Sequence, residues 1–114
     1  MQINAHGEIE YIRAQVSMYN DEMVMPGNTT WSVYMLRCAD NTLYTGITSN
    51  MRRRVDEHNS DNRLASAYTR SRRPVMAVYA EEFRNRSEAL RREIEIKQLS
   101  RHEKEALIKS KLLD

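Results

Sequence analysis

Cysteine, long apolar runs and an apolar N-terminal leader are scarce or missing in this sequence, and each scarcity excludes a class of protein. The single cysteine, Cys38, excludes an intramolecular disulfide framework and a zinc site built from several cysteines. No apolar run approaches the roughly 20 residues that cross a bilayer, and the N-terminus carries early acids instead of the apolar segment of a secretory signal. The 114 residues, 40% hydrophobic and 30% charged, predict a soluble, cytoplasmic protein with one globular domain and a short appendage.

The formal net charge of +2 conceals a gradient along the chain. Residues 1–30 hold one base against four acids, whereas residues 31–114 hold 17 bases against 12 acids. Seven arginines fall within the 22 positions from 52 to 73. Arginine is well suited to bidentate contact with phosphate, so this block suggests a nucleic-acid-binding surface, with an ordinary solvated surface as the alternative.

The N-terminal 30 residues are expected to form an appendage to the domain. Apolar residues at helical spacing predict an amphipathic helix over residues 8–20, and Pro, Gly and Asn at 26–28 are typical of a linker. We therefore expect a helix and linker over 1–30 and a folded domain over 31–114. The apolar stripe needs a surface to dock on, either this domain or a second copy of the chain in a homodimer. The stripe comprises Ile9, Ile12, Val16 and Tyr19.

Alternating apolar residues and turn formers predict a small α/β domain after residue 30. The segments WSVYMLR and LYTGI, separated by turn formers, predict an antiparallel pair of strands over residues 31–37 and 43–47. A third strand is expected for VMAVYAEEF, which follows Pro74. The first helix is expected to begin at an N-cap among Thr48, Ser49 and Asn50 and to end at about residue 59, and an ordered polar loop is expected over 60–73. A second helix is expected from Ser87 to about residue 99, and a third after a Ser100–Glu103 capping box.

Two strand tyrosines, Tyr34 and Tyr44, are candidates for chemistry. If the connecting loop has the three residues 39–41, Leu36 opposes Tyr44 and Tyr34 opposes Gly46, so both phenols project from one face of the sheet. A two-residue loop would put them on opposite faces. The missing side chain of Gly46 would then leave space for the close approach of a phosphate backbone. The alternative is that both tyrosines are ordinary half-buried packing residues.

Three polar residues on the predicted helices are further candidates. Arg54 and His58 share a helix face at i,i+4; the alternative is a solvated arginine and a histidine stabilised by the helix dipole. Glu93 falls near the middle of an apolar arc, and Lys97 lies within the arc one turn later. A carboxylate that faces the protein interior is costly unless it is paired or bound to metal, so an ion pair with Lys97 and a metal ligand are both open. The arc comprises Ala89, Leu90, Ile94, Ile96 and Leu99.

Three segments together carry a resemblance to a known family: VYMLRCADNTLYTGITSNMRRRVDEHN, YTRSRRPVMAVYAEEF and SEALRREIEIKQLS. They look like the GIY-YIG nuclease superfamily, and in particular its small, single-domain bacterial branch. The resemblance covers about residues 31–110. It implies an α/β fold, with a three-stranded antiparallel sheet flanked by helices, and cleavage of DNA phosphodiester bonds that depends on one divalent metal ion, Mg²⁺ or Mn²⁺.

The resemblance also implies roles for individual residues. Glu93 would hold the metal ion, and Arg54 would neutralise charge on the phosphate. The general base stays open among Tyr34, Tyr44 and His58. Position by position, Tyr34 matches the tyrosine of the GIY half, Tyr44 and Gly46 match the YIG half, Arg54 matches the active-site arginine, His58 matches a histidine of some branches, and Glu93 matches the metal-binding glutamate.

Two departures from the family pattern concern the motif and one loop. The GIY half has Ser32 and Val33 before its tyrosine, and Thr45 replaces the isoleucine of the YIG half. The loop SDNRLAS stands where close relatives have a shorter stretch with glycine and lysine, which affects substrate grip rather than chemistry. The expected DNA contacts are Arg52, Arg53, Arg70, Arg72, Arg73 and Lys97.

The expected activity is therefore that of a DNA endonuclease directed by strand structure or damage, as in repair or processing. No segment is recognisable as a reader of base edges. The alternatives are a non-catalytic nucleic-acid-binding module on the same fold and a dimerising accessory protein.

Overall fold

The computed structural model describes residues 30–113, so the predicted helix over 8–20, its linker and the proposed homodimer contact lie outside the described residues. Within this range no helix combines the length and apolar character needed to span a membrane. The elements are β1 (Trp31–Arg37), β2 (Leu43–Thr48), α1 (Met51–Ser60), α2 (Ala67–Arg70), β3 (Met76–Phe83), α3 (Arg86–Lys97) and α4 (Arg101–Leu113).

The three strands form one antiparallel sheet in the order β2-β1-β3, with helices packed against it. This confirms the predicted fold class. Pro74 precedes β3, an edge strand of the sheet, where the missing N–H of proline is tolerated. A bulge between Met35 and Leu36 interrupts the pairing of β1 with β3.

The loop between β1 and β2 sets the register of the hairpin. The backbone N–H of Cys38 donates to the Thr42 carbonyl at 2.9 Å, which leaves a loop of the three residues 39–41. Asn41 adopts a left-handed conformation with φ of 67°, which asparagine tolerates better than most residues. Leu36 consequently pairs with Tyr44, and Tyr34 pairs with Gly46, as the three-residue loop predicted.

The sheet separates two apolar clusters. Alternate residues of β1 point to opposite faces, so Tyr34 and Leu36 lie in one cluster and Val33 and Met35 in the other. The first cluster contains Met51 and Val55 of α1. The second cluster contains Ala89 and Ile96 of α3 and Ile108 of α4.

Helix α3 departs from the sequence prediction at its start and on one side. Asn85, not Ser87, is the N-cap, because its Oδ1 accepts a hydrogen bond from the Glu88 N–H at 2.9 Å. The expectation that Ile94 lies on the buried arc is wrong, since its exposed fraction is 53%. The buried face is centred on Ala89 and Ile96, and Ile94 lies about 140° around the helix from Ala89. The apolar arc is therefore narrower than the sequence indicated.

An ion pair connects helix α4 to strand β1 of the hairpin. Its N-terminus has the predicted capping box, in which the Ser100 N–H donates to Glu103 at 2.8 Å and the Glu103 N–H donates to Ser100 Oγ at 3.1 Å. Further along, Arg37 of β1 donates two hydrogen bonds to the Glu105 carboxylate, both at 2.8 Å. Hydrogen bonds from Arg37, and from Arg101 beside it, lower the pKa of Glu105 to about 2.

The substitution Glu105→Gln should destabilise the fold at neutral pH by about 1 kcal/mol, a modest value because solvent screens this partly exposed pair. Glu105 has a lowered folded-state pKa, so its contribution is present above its ordinary pKa of 4.5 and is lost as the pH falls towards 2. Urea unfolding of both proteins at pH 7 and pH 2.5 measures this. A difference in stability that stays equal at the two pH values would contradict the assignment.

Candidate active site

The phenol of Tyr34 lies directly over Gly46 on the neighbouring strand. A Cβ atom at position 46 would come within 2.6 Å of Tyr34 Oη and 2.8 Å of its Cζ, closer than real contacts permit. The expectation that Gly46 leaves space for a phosphate backbone is therefore wrong. The buried Tyr34 side chain leans across its pairing partner and fills that space itself, so the glycine makes room for the phenol.

His58, in the last turn of α1, is fully buried between two hydroxyl groups. Its Nε2 lies 2.9 Å from Tyr34 Oη, and its Nδ1 lies 2.7 Å from Thr69 Oγ1. Burial, together with the positive charges of Arg54 and Arg73, lowers the pKa of His58 to about 4 against the opposing effect of Glu57. The alternative of a charged histidine on the helix dipole is therefore wrong, because the imidazole is neutral at pH 7.

Tyr44 completes an aromatic cluster around this histidine. The Tyr44 ring centroid lies 6.4 Å from that of Tyr34 and 5.2 Å from that of His58, so the two phenols share one face of the sheet as predicted. Tyr68 of α2 stacks on Tyr44 with centroids 6.0 Å apart, and the guanidinium of Arg72 lies 3.8 Å above the Tyr68 ring. Tyr34 is the buried member of the tyrosine pair and Tyr44 the half-buried one.

Arg54 is held beside Tyr34 by two acceptors. Its Nη1 donates to the Glu57 carboxylate at 2.9 Å and to the Leu64 carbonyl at 2.8 Å. Burial raises the pKa of Tyr34, and negative charge on Tyr44 or Glu93 raises it further, whereas the charge and hydrogen bond of Arg54 oppose the shift. Tyr34 therefore keeps its proton at neutral pH, and Arg54 is the neighbour that favours its release.

Glu93 of α3 is mostly buried and paired with a lysine on the same helix. Its side chain is 14% exposed and its Oε2 lies 3.4 Å from Lys97 Nζ, which is the ion pair that the sequence left open. The Lys97 side chain is 55% exposed, so its expected place within the apolar arc is wrong: the long side chain extends its ammonium to solvent. The negative charge of Glu93 contributes to the raised pKa of Tyr34, so the carboxylate lies within electrostatic range of the phenol.

The residues present fit a hydrated divalent ion better than a protein-caged one. Among residues 30–113 no group of three histidine, cysteine, aspartate or glutamate side chains is arranged to hold a metal. Magnesium commonly keeps several waters and binds proteins through one or two carboxylates together with substrate phosphates. The mostly buried carboxylate of Glu93, with an exposed lysine as its ion-pair partner, is compatible with that mode.

The arginines expected to contact DNA differ in how exposed their side chains are. Arg52, Arg53 and Arg70 are exposed, although Arg53 lies 3.6 Å from the Glu57 carboxylate and Arg70 donates to the Asn62 carbonyl at 2.6 Å. Arg72 is half-buried, paired with Asp40 at 3.0 Å as well as stacked on its tyrosine. These positions leave the exposed residues as the stronger candidates for phosphate contact.

Arg73 has a different role from the one expected. Its guanidinium donates three hydrogen bonds to the protein itself: to the His58 carbonyl at 2.7 Å, to Asn62 Oδ1 at 2.8 Å and to the Asp61 carbonyl at 3.1 Å. These contacts hold the C-terminal end of α1 and the loop that follows it. Because the protein itself occupies its guanidinium, Arg73 is a weaker candidate for contact with DNA than the exposed arginines.

Sequence reasoning missed three residues of α2 and its cap. Tyr68 stacks on Tyr44, Thr69 contacts His58, and Ser66 caps the helix by accepting the Thr69 N–H at 3.1 Å. A four-residue helix is too short to produce a periodic pattern. The available signals were the serine three residues before a threonine and the YTR sequence within the resembling segments.

Comparison with known proteins places all of these residues within one matched region. The family described as the GIY-YIG catalytic domain matches residues 30–106. A UPF0213 protein of Desulfotalea psychrophila is 60% identical over 80 residues, which cover 70% of this chain and 72% of that protein. A UPF0213 protein of Halobacterium salinarum is 52% identical over 75 residues, which cover 66% of this chain and 95% of that protein.

One solved structure is also similar to this chain. It is the solution NMR structure of a UPF0213 protein of Bacillus halodurans, with 40% sequence identity and a TM-score of 0.48. The match covers 72% of this chain and 85% of that one. The names of these relatives state no reaction.

The substitution Gly46→Ala should destabilise the protein by about 1–3 kcal/mol, the usual cost of overpacking, because the new methyl group meets the Tyr34 phenol. Urea unfolding measures this loss. In a Tyr34→Leu background the obstructing phenol is gone, so the same substitution should cost little. Equal losses in both backgrounds would show that the phenol is not the obstacle.

Acid should destabilise the protein through His58. Its folded-state pKa of about 4 lies below its ordinary value of 6.5, so between these values the unfolded chain binds the proton more readily. The free energy of unfolding should fall as the pH drops through this window, by a total on the order of 3 kcal/mol, and His58 should contribute no change above it.

Urea unfolding between pH 7.5 and pH 4 tests this in the wild type and in His58→Gln, which cannot titrate. Other groups titrate in both proteins, so the difference between the two pH profiles isolates His58. Superimposable profiles would contradict the lowered pKa.

Proposed function

This chain belongs to the GIY-YIG catalytic domain family, and we propose on that premise that it is a divalent-metal-dependent endonuclease that hydrolyses DNA phosphodiester bonds. The observation that carries the proposal is a hydrogen-bonded tyrosine–histidine pair whose tyrosine is influenced by the charges of an arginine and a mostly buried glutamate. These groups can respectively move a proton, stabilise a phosphate and hold a cation.

Glu93 would hold one Mg²⁺ or Mn²⁺ ion, which when bound supplies positive charge to a phosphate oxygen and to the leaving oxygen. The partner Lys97 is mostly in solvent, so its ammonium can withdraw from the carboxylate at little cost. A single carboxylate favours one ion over the two-ion arrangement, which normally needs several carboxylates.

Arg54 would stabilise the charge that develops on the phosphate. Glu57 and the Leu64 carbonyl fix its guanidinium before substrate arrives, so no reorganisation is needed during the reaction. A preorganised donor of this kind typically contributes about 3–4 kcal/mol to the rate.

The Tyr34–His58 pair would handle the proton of the attacking water. Neither side chain is open to bulk solvent, since His58 is 0% and Tyr34 1% exposed, so the attacking water would arrive with the substrate and we assign its contact to the Tyr34 oxygen. As the Tyr34 oxygen accepts a proton from water, the tyrosine passes its own proton to His58 Nε2, 2.9 Å away. The negative charge of a bound phosphodiester would raise the low proton affinity of His58 and so assist this transfer. Tyr44 would orient the pair through its ring contacts.

The DNA surface would consist of Arg52, Arg53 and Arg70 with Lys97 near the carboxylate, all of them exposed. Such contacts to phosphates give affinity without sequence information. We therefore propose recognition of strand structure or damage, such as nicks, flaps and branches, rather than of a long sequence.

Glu93→Gln should lower metal-dependent cleavage roughly 100-fold or more, the scale expected for losing a group that stabilises transition-state charge. The measurement is cleavage of nicked, flapped, branched and linear DNA with Mg²⁺ or Mn²⁺. The matched control is Glu95→Gln, a carboxylate two residues along the same helix with a side chain 64% exposed, which should cleave like the wild type.

Two results would contradict this proposal in different ways. Unchanged cleavage by Glu93→Gln would remove the glutamate from the site. No cleavage of any substrate by the wild type, with salt-sensitive binding that ignores divalent metal, would favour the non-catalytic binding module.

A further inference from the structure

A chain of hydrogen-bonding groups runs from the sheet through α1 to α2. It begins at Tyr34 Oη, passes through both ring nitrogens of His58 and reaches Thr69 Oγ1. From there it continues to Ser66, whose Oγ lies 2.9 Å and whose carbonyl oxygen lies 3.3 Å from the Thr69 hydroxyl. Tyr34, His58 and Thr69 are almost completely shielded from solvent, so water cannot replace a missing partner.

A neutral imidazole carries one N–H, so the position of that proton decides the direction of the whole chain. If Nε2 carried it, Nε2 would donate to the Tyr34 oxygen and the Tyr34 hydroxyl would need another acceptor. The other group that shares a hydrogen bond with this hydroxyl, Arg54, can only donate. Among the described residues no other hydrogen-bond acceptor contacts that hydroxyl, so this tautomer would leave a buried O–H unsatisfied, which is unfavourable.

The opposite tautomer satisfies every group. With the proton on Nδ1, Tyr34 donates to Nε2, and Nδ1 donates to Thr69 Oγ1 at 2.7 Å. The Thr69 hydroxyl then donates onward to an oxygen of Ser66, so this buried hydroxyl both receives and gives a hydrogen bond.

We propose that Thr69 is a positioning residue that keeps the proton of His58 on Nδ1 and leaves Nε2 as a permanent acceptor for the Tyr34 hydroxyl. The catalytic meaning of this arrangement rests on the proposed nuclease function, since Nε2 is the atom that would receive the Tyr34 proton. The tautomer itself depends only on the hydrogen bonds of the folded chain.

The test combines a spectroscopic measurement with kinetics. The ¹⁵N shifts of the imidazole are recorded for the wild type, Thr69→Ser and Thr69→Val at pH 7, without DNA or metal, and the His58 signals are identified by their absence in His58→Gln. Wild type and Thr69→Ser should have a protonated Nδ1 and an unprotonated Nε2. Thr69→Val removes the acceptor with little change of shape, so it should move the equilibrium towards a protonated Nε2.

In the cleavage assay Thr69→Val should lower kcat about tenfold with little change in KM, as expected for a residue that orients a catalytic group. Thr69→Ser keeps the hydroxyl and should cleave at the wild-type rate. A wild-type spectrum with protonated Nε2, or an unchanged tautomer in Thr69→Val, would overturn the proposal. The wild-type spectrum decides even if Thr69→Val does not fold. A correct tautomer in a protein that cleaves no substrate would refute the nuclease function and leave the role of Thr69 in place.

Discussion

The hydrogen bond between Tyr34 and His58 joins the central strand to the first helix at a point that solvent does not reach. Water cannot compensate for its loss, so the surrounding structure is arranged to keep both partners in position. The strand opposite has no side chain at Gly46, which gives the phenol its place. Arg73 holds the carbonyl of His58, and so the end of the helix that carries the imidazole. The packing at Gly46 and the hydrogen bond from Arg73 therefore both help to keep this one bond in place.

Burial keeps this tyrosine–histidine pair neutral while charge lies immediately around it. The lowered pKa of His58 and the raised pKa of Tyr34 have the same principal cause, the desolvation of the charged forms. Arg54 is positively charged and Glu93 negatively charged, and they shift the proton affinity of the pair in opposite directions. A bound ion or phosphate that offsets either charge would therefore change that proton affinity. The protonation of the pair therefore depends on what occupies the space around it.

The parts of this arrangement that follow from backbone periodicity could be predicted from the sequence. A three-residue loop, closed by the left-handed Asn41, determines strand parity and therefore places Tyr34 and Tyr44 on one face. Helical geometry likewise placed Glu93 on the inward side of α3.

The remaining parts depend on choices that periodicity does not specify. Which group fills the space over Gly46 depends on the direction of the Tyr34 side chain. Asn85 and Ser87 are both good helix caps, and the helix begins after Asn85. The contact of Thr69 with His58 arises in a single helical turn inside a polar loop, where no repeat marks it.

The close fit of Tyr34 over Gly46 also has an evolutionary consequence. Any side chain at position 46 intrudes on the phenol, so the glycine can be replaced only in a protein whose residue 34 is smaller or turns elsewhere. The two positions should thus vary together rather than independently. A descendant that lost the tyrosine would lose at the same time the selective pressure that preserves the glycine.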